Sequence, residues 1–191
     1  MKEQIKEIIK EAVTCQARLV YDEEQIKKIH NAAKLISLAL KKGGKILIFG
    51  NGGSAADSQH FSAELIGRFQ RERRALPAIA LNTDTSILTS LSNDYSFDAI
   101  FKRQIEALGN HKDIAFAIST SGESKNILEG IKAAKKLKMK TIGLSGEKKA
   151  QLHALADLCI SAPDSKTARI QEIHILIIHI ICELVEGSLK N

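Results

Sequence analysis

Residues 45–64 read KILIFGNGGSAADSQHFSAE, a short apolar run followed by a glycine turn and a helical pattern. The apolar run predicts a buried strand over 45–49. Gly52 and Gly53 permit a sharp turn that brings backbone N–H groups close to a ligand, and Ser54 is expected to prime the first helical turn. A helix that begins there favours an anion, because its first amides are unpaired and its dipole is positive.

Two chemically active side chains lie further along the same predicted helix. His60 and Glu64 are four residues apart and therefore share one helix face, and Arg68 adds a cation one turn later. A lone histidine or glutamate on a helix is usually structural, but this pair follows an anion-binding loop. The spacing therefore favours an acid/base or metal-ligand pair in an enzyme that acts on a small phosphorylated molecule.

Short apolar runs alternate with helical patterns after residue 43 and predict strands over 45–49, 78–81, 114–119, 141–144 and 158–161. Alternating strands and helices predict a five-stranded parallel sheet covered on both faces, a three-layer α/β/α sandwich of flavodoxin-like type. The first 42 residues predict two amphipathic helices, with Asp22 as the N-cap of the second and Gly43-Gly44 as its stop. We expect residues 1–42 to be a helical oligomerisation segment and residues 43–191 to be one domain.

The loops that follow parallel strands meet at one edge of the sheet, where ligands bind in this architecture. The loop over 119–124, with sequence STSGES, precedes a helix predicted from Asn126 to about Lys138. Its hydroxyls and amides could cradle a phosphate without a lysine, although an ordinary serine-rich loop that caps a helix remains the alternative. The chain has neither a P-loop nor a GxGxxG motif after its first strand, which disfavours nucleotide hydrolysis and dinucleotide binding.

The predicted C-terminal helix, over 170–185, is apolar nearly all round and therefore predicts burial on most sides. Polar groups buried in such a helix need hydrogen-bond partners or line a site. Helix geometry places Glu172 and His179 on one face, with Gln171 about 80° from His179. Periodicity does not choose between Gln171 and Glu172. The polar residues of this helix are Gln171, Glu172, His174, His179 and Glu183.

Composition narrows the classes of partner. The 191 residues carry 28 Lys and Arg against 22 Asp and Glu, and this mild positive balance suits anionic metabolites or simply solvated lysines. Aromatic residues make up 4% and Trp is absent, so we expect no nucleic-acid partner. The apolar stretch 173–185 is too short and too polar to span a membrane. The isolated cysteines Cys15, Cys159 and Cys182 indicate reduced thiols in a cytoplasmic protein.

Taken together, the motifs resemble those of the sugar isomerase (SIS) domain family and, within it, the phosphoheptose isomerases. The matching segments are 50–64, 92–94 (SND), 118–124 (ISTSGES) and 169–174 (RIQEIH) with His179, and they span nearly the whole chain in the family's order. The resemblance implies isomerisation of sedoheptulose 7-phosphate to D-glycero-D-manno-heptose 7-phosphate through an enediol. This reaction is the first step towards the ADP-heptose of bacterial surface polysaccharide.

The resemblance also implies roles for individual residues. Glu64 and His179 would be the acid/base pair, and one zinc per subunit would be bound by His60, Glu64, Gln171 and His179. The implied substrate-binding residues are Asn51, Gly52, Gly53, Ser54, Arg68, Asn93, Asp94, Ser119, Thr120, Ser121, Ser124 and Gln171. The family implies a homotetramer with sites at subunit interfaces and the N-terminal helices in the contact. Many members carry an Asp where this chain has Ala168, so a supporting role for that carboxylate is not carried over.

Two other functions are compatible with parts of this pattern. One is a non-catalytic SIS module of the replication-initiator-associating type, which lacks the glutamate and histidine found here at Glu64 and His179. The other is an isomerase of a different phosphosugar, such as an arabinose or hexulose phosphate, because sugar length rests on the resemblance alone. A regulatory SIS domain with DNA-binding helices is less favoured, since residues 1–42 show no helix-turn-helix pattern.

Overall fold

The computed structural model describes residues 1–146 and 150–189, so the predicted domain 43–191 extends past the last described residue. The elements are α1 (Lys2–Val20), α2 (Glu23–Lys41), β1 (Ile46–Gly50), α3 (Gly53–Ile66), β2 (Ala78–Ala80), α4 (Thr85–Asp94), a 3₁₀ turn (Phe97–Ala99), α5 (Ile100–Leu108), β3 (Ile114–Ser119), α6 (Lys125–Lys136), β4 (Lys140–Ser145), α7 (Gln151–Leu155), β5 (Leu158–Ser161) and α8 (Thr167–Ser188).

The five strands form one parallel sheet in the order β2-β1-β3-β4-β5. This confirms the predicted sheet, and each strand begins and ends within one residue of its predicted bounds. The strand order reverses between β1 and β3, and a doubly wound sheet opens its ligand crevice at such a point. The crevice therefore lies between the loops that follow β1 and β3.

Helices cover both faces of the sheet, as a parallel sheet requires. Along β1, Ile46 and Ile48 belong to one apolar core, whereas Leu47 and Phe49 belong to the other. The first core is completed by residues of α1, α2, α3 and α8, and the second by residues of α5, α6 and α7. The predicted three-layer sandwich is therefore confirmed. Among the described residues, no helix is long and apolar enough to cross a membrane.

The two N-terminal helices form where the sequence predicts them. The side chain of Asp22 accepts a hydrogen bond from the Gln25 N–H at 3.0 Å and so caps α2, which ends two residues before Gly43. Helix α2 packs against α8 and β5 and buries Ile29 and Ile36 in the first core. Helix α1 differs, because only Cys15 and Leu19 of its residues are buried.

The start of α3 differs from the expectation for Ser54. Helix α3 begins at Gly53, with Gly52 at the N-cap position, and no side chain caps it. Ser54 is thus the second helical residue, and its backbone N–H donates to the Asn51 carbonyl at 3.0 Å. Helix α3 begins at Gly53, so Ser54 lies in its first turn but not at the capping position.

An ion pair between Arg73 and Glu186 fixes the loop between α3 and β2. The Arg73 Nε and Glu186 Oε1 atoms are 3.0 Å apart, and both side chains are buried. The Glu186 carboxylate also accepts hydrogen bonds from the backbone N–H groups of Phe69, Gln70 and Arg71. Burial alone would raise the pKa of Glu186, but these three amides and Arg73 outweigh it and lower the pKa. No signal in the sequence predicted this buried carboxylate.

Replacing Glu186 should destabilise the fold because it leaves a buried guanidinium and three amides without their partner. We expect Glu186→Ala to lower the free energy of unfolding by about 3–5 kcal/mol at pH 7. A carboxyl with a lowered pKa stabilises the folded state above its unfolded-state value of 4.5 and loses that effect as pH falls through its folded-state pKa. The difference from wild type should therefore shrink in urea titrations carried below pH 4.5.

Glu183→Ala on the same helix is the matched control, since Glu183 is exposed. Its free energy of unfolding should stay within about 0.5 kcal/mol of the wild-type value. Equal losses in the two variants, or a Glu186→Ala loss that does not depend on pH, would contradict the assigned role of the ion pair.

Candidate active site

A pair of asparagines joins the two loops at the crevice. The side-chain amides of Asn51, after β1, and Asn126, in the first turn of α6, donate to each other's oxygen at 2.9 Å. The Asn126 oxygen also accepts from the Ile127 N–H, and Asn126 is buried. Asn51 was predicted to contact the sugar, and the sequence analysis did not assign a role to Asn126. The structure shows that Asn126 holds the Asn51 loop against the serine loop.

The loop after β3 gathers three serine hydroxyls. The Ser119 Oγ atom lies 3.5 Å from the Oγ atoms of both Ser121 and Ser124 and accepts a hydrogen bond from the Gly122 N–H at 3.1 Å. Gly122 has a φ of +66°, and a Cβ there would lie 2.6 Å from the Ala150 Cβ, so the loop requires glycine. Ser124 stands at the N-cap of α6, yet its hydroxyl does not cap the helix. The hydroxyls therefore face one another where α6 begins, an arrangement suited to an oxyanion.

A pocket of about 320 Å³ opens beside this loop. Its lining includes Thr120 and Ser121 of the serine loop and Gly146, which follows β4. The Gly146 N–H donates to the Thr120 carbonyl at 3.2 Å, which holds the two loops together. The remaining lining residues come from the serine loop and from the segment that leads into α8: Glu123, Asp164, Ser165, Thr167 and Ile170.

Gln171 reaches this end of the molecule by packing on Gly53. A Cβ at Gly53 would lie 2.2 Å from the Gln171 Nε2 atom, so the observed position of the Gln171 amide requires glycine there. Glu172, which periodicity could not separate from Gln171, is instead paired with Arg169. The structure thus separates the two residues that the sequence left as alternatives, and only Gln171 lies against the glycine loop.

The predicted acid/base residues meet further along α3 and α8. The Nε2 atoms of His60 and His179 are 2.9 Å apart, and the Glu64 Oε1 atom is 3.3 Å from the His60 Nε2 atom. Without a metal ion between them, one of the two Nε2 atoms donates a hydrogen to the other, and the tautomers decide which one. The ring of Phe69 lies 5.5 Å from that of His179. Burial, together with the negative charge of Glu64, raises the pKa of the neighbouring Cys182 thiol to about 12.

One chain does not bring Gln171 together with the other three predicted zinc ligands. Gln171 and His179 are eight residues apart on the continuous helix α8, which is about 12 Å along its axis. Glu64 likewise lies 11 residues beyond Gly53 on α3, about 16 Å along the helix. The site predicted from the sequence is therefore divided within the chain into an anion end and an acid/base end.

The acid/base end contains three of the four predicted zinc ligands, His60, Glu64 and His179. Across residues 1–146 and 150–189, no three His, Cys, Asp or Glu side chains are already gathered as a metal centre. However, zinc with ligand distances of about 2.0–2.1 Å in a tetrahedron places neighbouring ligand atoms about 3.3 Å apart. The distances of 2.9 Å and 3.3 Å around the His60 Nε2 atom are close to this value. These two separations are compatible with a shared ion, and the zinc site stays a prediction.

The other predicted residues lie at the surface. Asn93 and Asp94, in the last turn of α4, are exposed, and the Asn93 amide donates to the Asp94 carboxylate at 2.9 Å. Arg68 is exposed, and its Nε atom lies 3.9 Å from the Glu72 carboxylate. These three residues have no hydrogen bond in the structure that ties them to the serine loop or to His60.

Two polar residues near the site, Asp57 and His174, have buried polar atoms that the sequence did not predict. Asp57, one turn before His60, has a buried Oδ2 atom without a hydrogen-bond partner among the described residues, and burial raises its pKa to about 6 against the opposing effect of His60. His174 is fully buried, which lowers its pKa to about 4, and its Nε2–H donates to the Ser145 carbonyl at 3.1 Å. His174 therefore supports the end of β4 as a neutral side chain.

The SIS domain family model matches residues 9–146 of this chain. Phosphoheptose isomerase 1 of Campylobacter jejuni is 55% identical over 161 residues, which cover 84% of this chain and 87% of that protein. The phosphoheptose isomerase of Aquifex aeolicus is 49% identical, with 97% and 96% of the two chains covered. The solved phosphoheptose isomerase of Neisseria gonorrhoeae has a TM-score of 0.92 and 40% identity over 97% of this chain and 98% of that chain. The chain therefore belongs to the SIS domain family and, within it, to the phosphoheptose isomerases.

Proposed function

We propose that this chain isomerises sedoheptulose 7-phosphate to D-glycero-D-manno-heptose 7-phosphate, the first step towards ADP-heptose. The observation that carries the proposal is that His60 contacts both Glu64 and His179. The chain that brings these residues together is 55% identical to a protein named phosphoheptose isomerase 1. The serine loop supplies the second requirement, a place for the phosphate. A binding module would need the loop but not the acid/base residues.

The reaction moves a hydrogen from C1 to C2 of the sugar. A base takes the C1 proton from the ketose, the electrons of the C–H bond form the enediol double bond, and the C2 oxygen becomes a hydroxyl. Return of a proton to C2 and loss of the O1 proton then give the aldose. Glu64 and His179 are proposed to carry these protons, and a positioned acid or base typically contributes about 10²–10⁴-fold to the rate.

We also propose that one zinc per subunit is bound by His60, Glu64 and His179, with Gln171 as the fourth ligand. Bound zinc would polarise the sugar oxygens as a Lewis acid. Glu64 cannot be a zinc ligand and the base at the same moment, because a carboxylate oxygen that is held by a metal is a weak base. If a second copy of the chain supplied Gln171, all four ligands could reach one zinc despite the distance between Gln171 and His179 within a chain.

The proposed assembly is a homotetramer with sites at subunit interfaces. Its support is the face of α1 that carries Ile5, Ile9 and Val13, each more than half exposed at 52%, 57% and 59%. Such a row of exposed aliphatic side chains needs a covering surface. A second copy could cover this face and bring its own anion end to the acid/base end of the first. The cytoplasmic location stays a prediction.

The alternatives are separated from this proposal by specific residues. Glu64 and His179 favour an enzyme over the replication-initiator-associating type of module. Isomerases of arabinose or hexulose phosphates remain the second candidate, because the described residues set no limit on sugar length. A comparison of five-, six- and seven-carbon ketose phosphates as substrates distinguishes them, and we expect the heptulose phosphate to react fastest.

Removing either acid/base residue should abolish turnover while the fold survives. Glu64→Gln and His179→Gln preserve side-chain size, so we expect kcat to fall by about 10²–10⁴-fold. The measurement is an NMR time course with sedoheptulose 7-phosphate in D₂O, which follows both product and hydrogen exchange. Glu72→Gln, an exposed change in the next loop, is the control and should retain full activity. Near-normal turnover in both active-site variants would refute their assignment.

Metal removal tests the zinc proposal separately. Protein purified without a histidine tag should contain about one zinc per chain by elemental analysis, and His60→Gln should lower this content. Exhaustive chelation should reduce activity, and added zinc should restore it. Full activity of a metal-free sample would exclude a catalytic zinc.

Sharing of the site between subunits predicts complementation. Glu64→Gln and Gln171→Ala homo-oligomers should both be impaired, but each carries the residue that the other lacks. If each site uses Glu64 of one chain and Gln171 of another, random co-assembly should leave roughly a quarter of the sites intact. We therefore expect activity to appear when the two variants are unfolded together and refolded. No recovery in mixed oligomers confirmed by mass spectrometry would place both residues in one chain's site.

A further inference from the structure

The segment 163–169 lies between helix α1 and the 320 Å³ pocket beside the serine loop. On one side, Asp164, Ser165 and Thr167 line the pocket beside the serine loop. On the other side, the Pro163 carbonyl accepts a hydrogen bond from the Arg18 Nη1 atom at 3.4 Å. This segment is the pocket wall, and α1 supports it from behind.

Two further contacts connect α1 to the pocket wall. The Lys166 ammonium lies 2.7 Å from the Glu11 carboxylate, but both of these side chains are well exposed, so their pairing contributes little. Arg169 differs because it is only 8% exposed. Its Nη1 atom donates to the Ile8 carbonyl at 2.9 Å, and its Nη2 atom pairs with the Glu172 carboxylate.

Stability alone is a weak reason for this arrangement. A buried guanidinium carries a large desolvation cost, and its partner Glu172 has a side chain that is 42% exposed, so solvent weakens their attraction. The Arg169 Nε atom is also buried without a hydrogen-bond partner among the described residues. Its acceptor, Ile8, lies in the middle of the continuous helix α1, whose carbonyls are already used by helical hydrogen bonds. The fold thus retains a buried charge that gains little from its surroundings.

We propose that Arg169 is a positioning residue that fixes the pocket wall and the adjacent Gln171 by tying α1 to the start of α8. Within the chain, helix α1 buries only Cys15 and Leu19, and Arg169 contacts its N-terminal half at Ile8. Arg169 lies two residues before Gln171 and two after Thr167, and its fork holds the first turn of α8 in place between them. The inference rests on the proposed function in one respect, namely that this pocket holds the phosphate end of the substrate.

The test compares Arg169→Met and Arg169→Lys with the control Lys41→Met. The control removes one positive charge from an exposed position near the amino-terminal end of β1. We expect Arg169→Met to raise KM for the sugar phosphate and the inhibition constant of inorganic phosphate by roughly three- to tenfold, with kcat nearly unchanged. Arg169→Lys keeps the charge but loses the fork, so its values should lie between those of wild type and Arg169→Met. Lys41→Met should match wild type.

Two measurements separate positioning from a purely structural role. Light scattering and thermal unfolding should show the same assembly and a similar Tm in wild type and Arg169→Met. Unchanged KM and phosphate inhibition, or a lowered Tm and altered assembly without a change in KM, would overturn the proposal. If Arg169→Met does not fold, Arg169→Lys and Glu172→Gln replace it, and their effects on KM should be non-additive in the double variant. Additive effects would then overturn it.

Calorimetric binding of inorganic phosphate distinguishes failure of this inference from failure of the proposed function. Wild type that binds phosphate but does not isomerise the heptulose phosphate would refute the function, while weaker phosphate binding by Arg169→Met would still support the positioning role. Wild type that isomerises normally, with equal phosphate binding in both proteins, would refute the positioning role alone.

Discussion

The close packing of α8 on α3 is the constraint on which the site depends. At the carboxyl edge of the sheet, Gln171 lies directly over Gly53, where a Cβ would lie 2.2 Å from its Nε2 atom. Further along the two helices, the same packing places the His60 and His179 Nε2 atoms 2.9 Å apart. Beyond the end of α3, Glu186 of α8 accepts three backbone hydrogen bonds from the following loop. A Cβ at Gly53 would displace the Gln171 amide and so disturb the first of these contacts.

This packing also explains why the site is divided within one chain. Helices α3 and α8 run the same way from the crevice, so the residues at their starts meet the serine loop and those further along meet each other. The polar groups therefore separate into an anion end, with Ser119 and Gln171, and an acid/base end, with Glu64 and His179. An isomerase has to hold the phosphate and move a proton on one sugar at the same time. The division is the reason that we propose a second copy as part of each site.

Much of the fold could be predicted from the sequence because its signals are local. Apolar runs such as 114–119 mark buried strands, and the spacing of His60 and Glu64 places both side chains on one helix face. The serine loop could also be predicted, since a short polar segment between a strand and a helix needs no distant contact to define it. Asp22 at the start of α2 is another local signal that the structure confirms.

The tertiary structure decided what depends on contacts between distant segments. Helical periodicity could not choose between Gln171 and Glu172. The structure separates them, because Gln171 lies against Gly53 whereas Glu172 pairs with Arg169. No role was predicted for Glu186, which is buried and accepts hydrogen bonds from the backbone of the 69–71 loop. The sequence by itself thus determined the layers, the anion loop and the family. Which polar residues meet was decided by long-range packing, because periodicity specifies a helix face but not what lies against it.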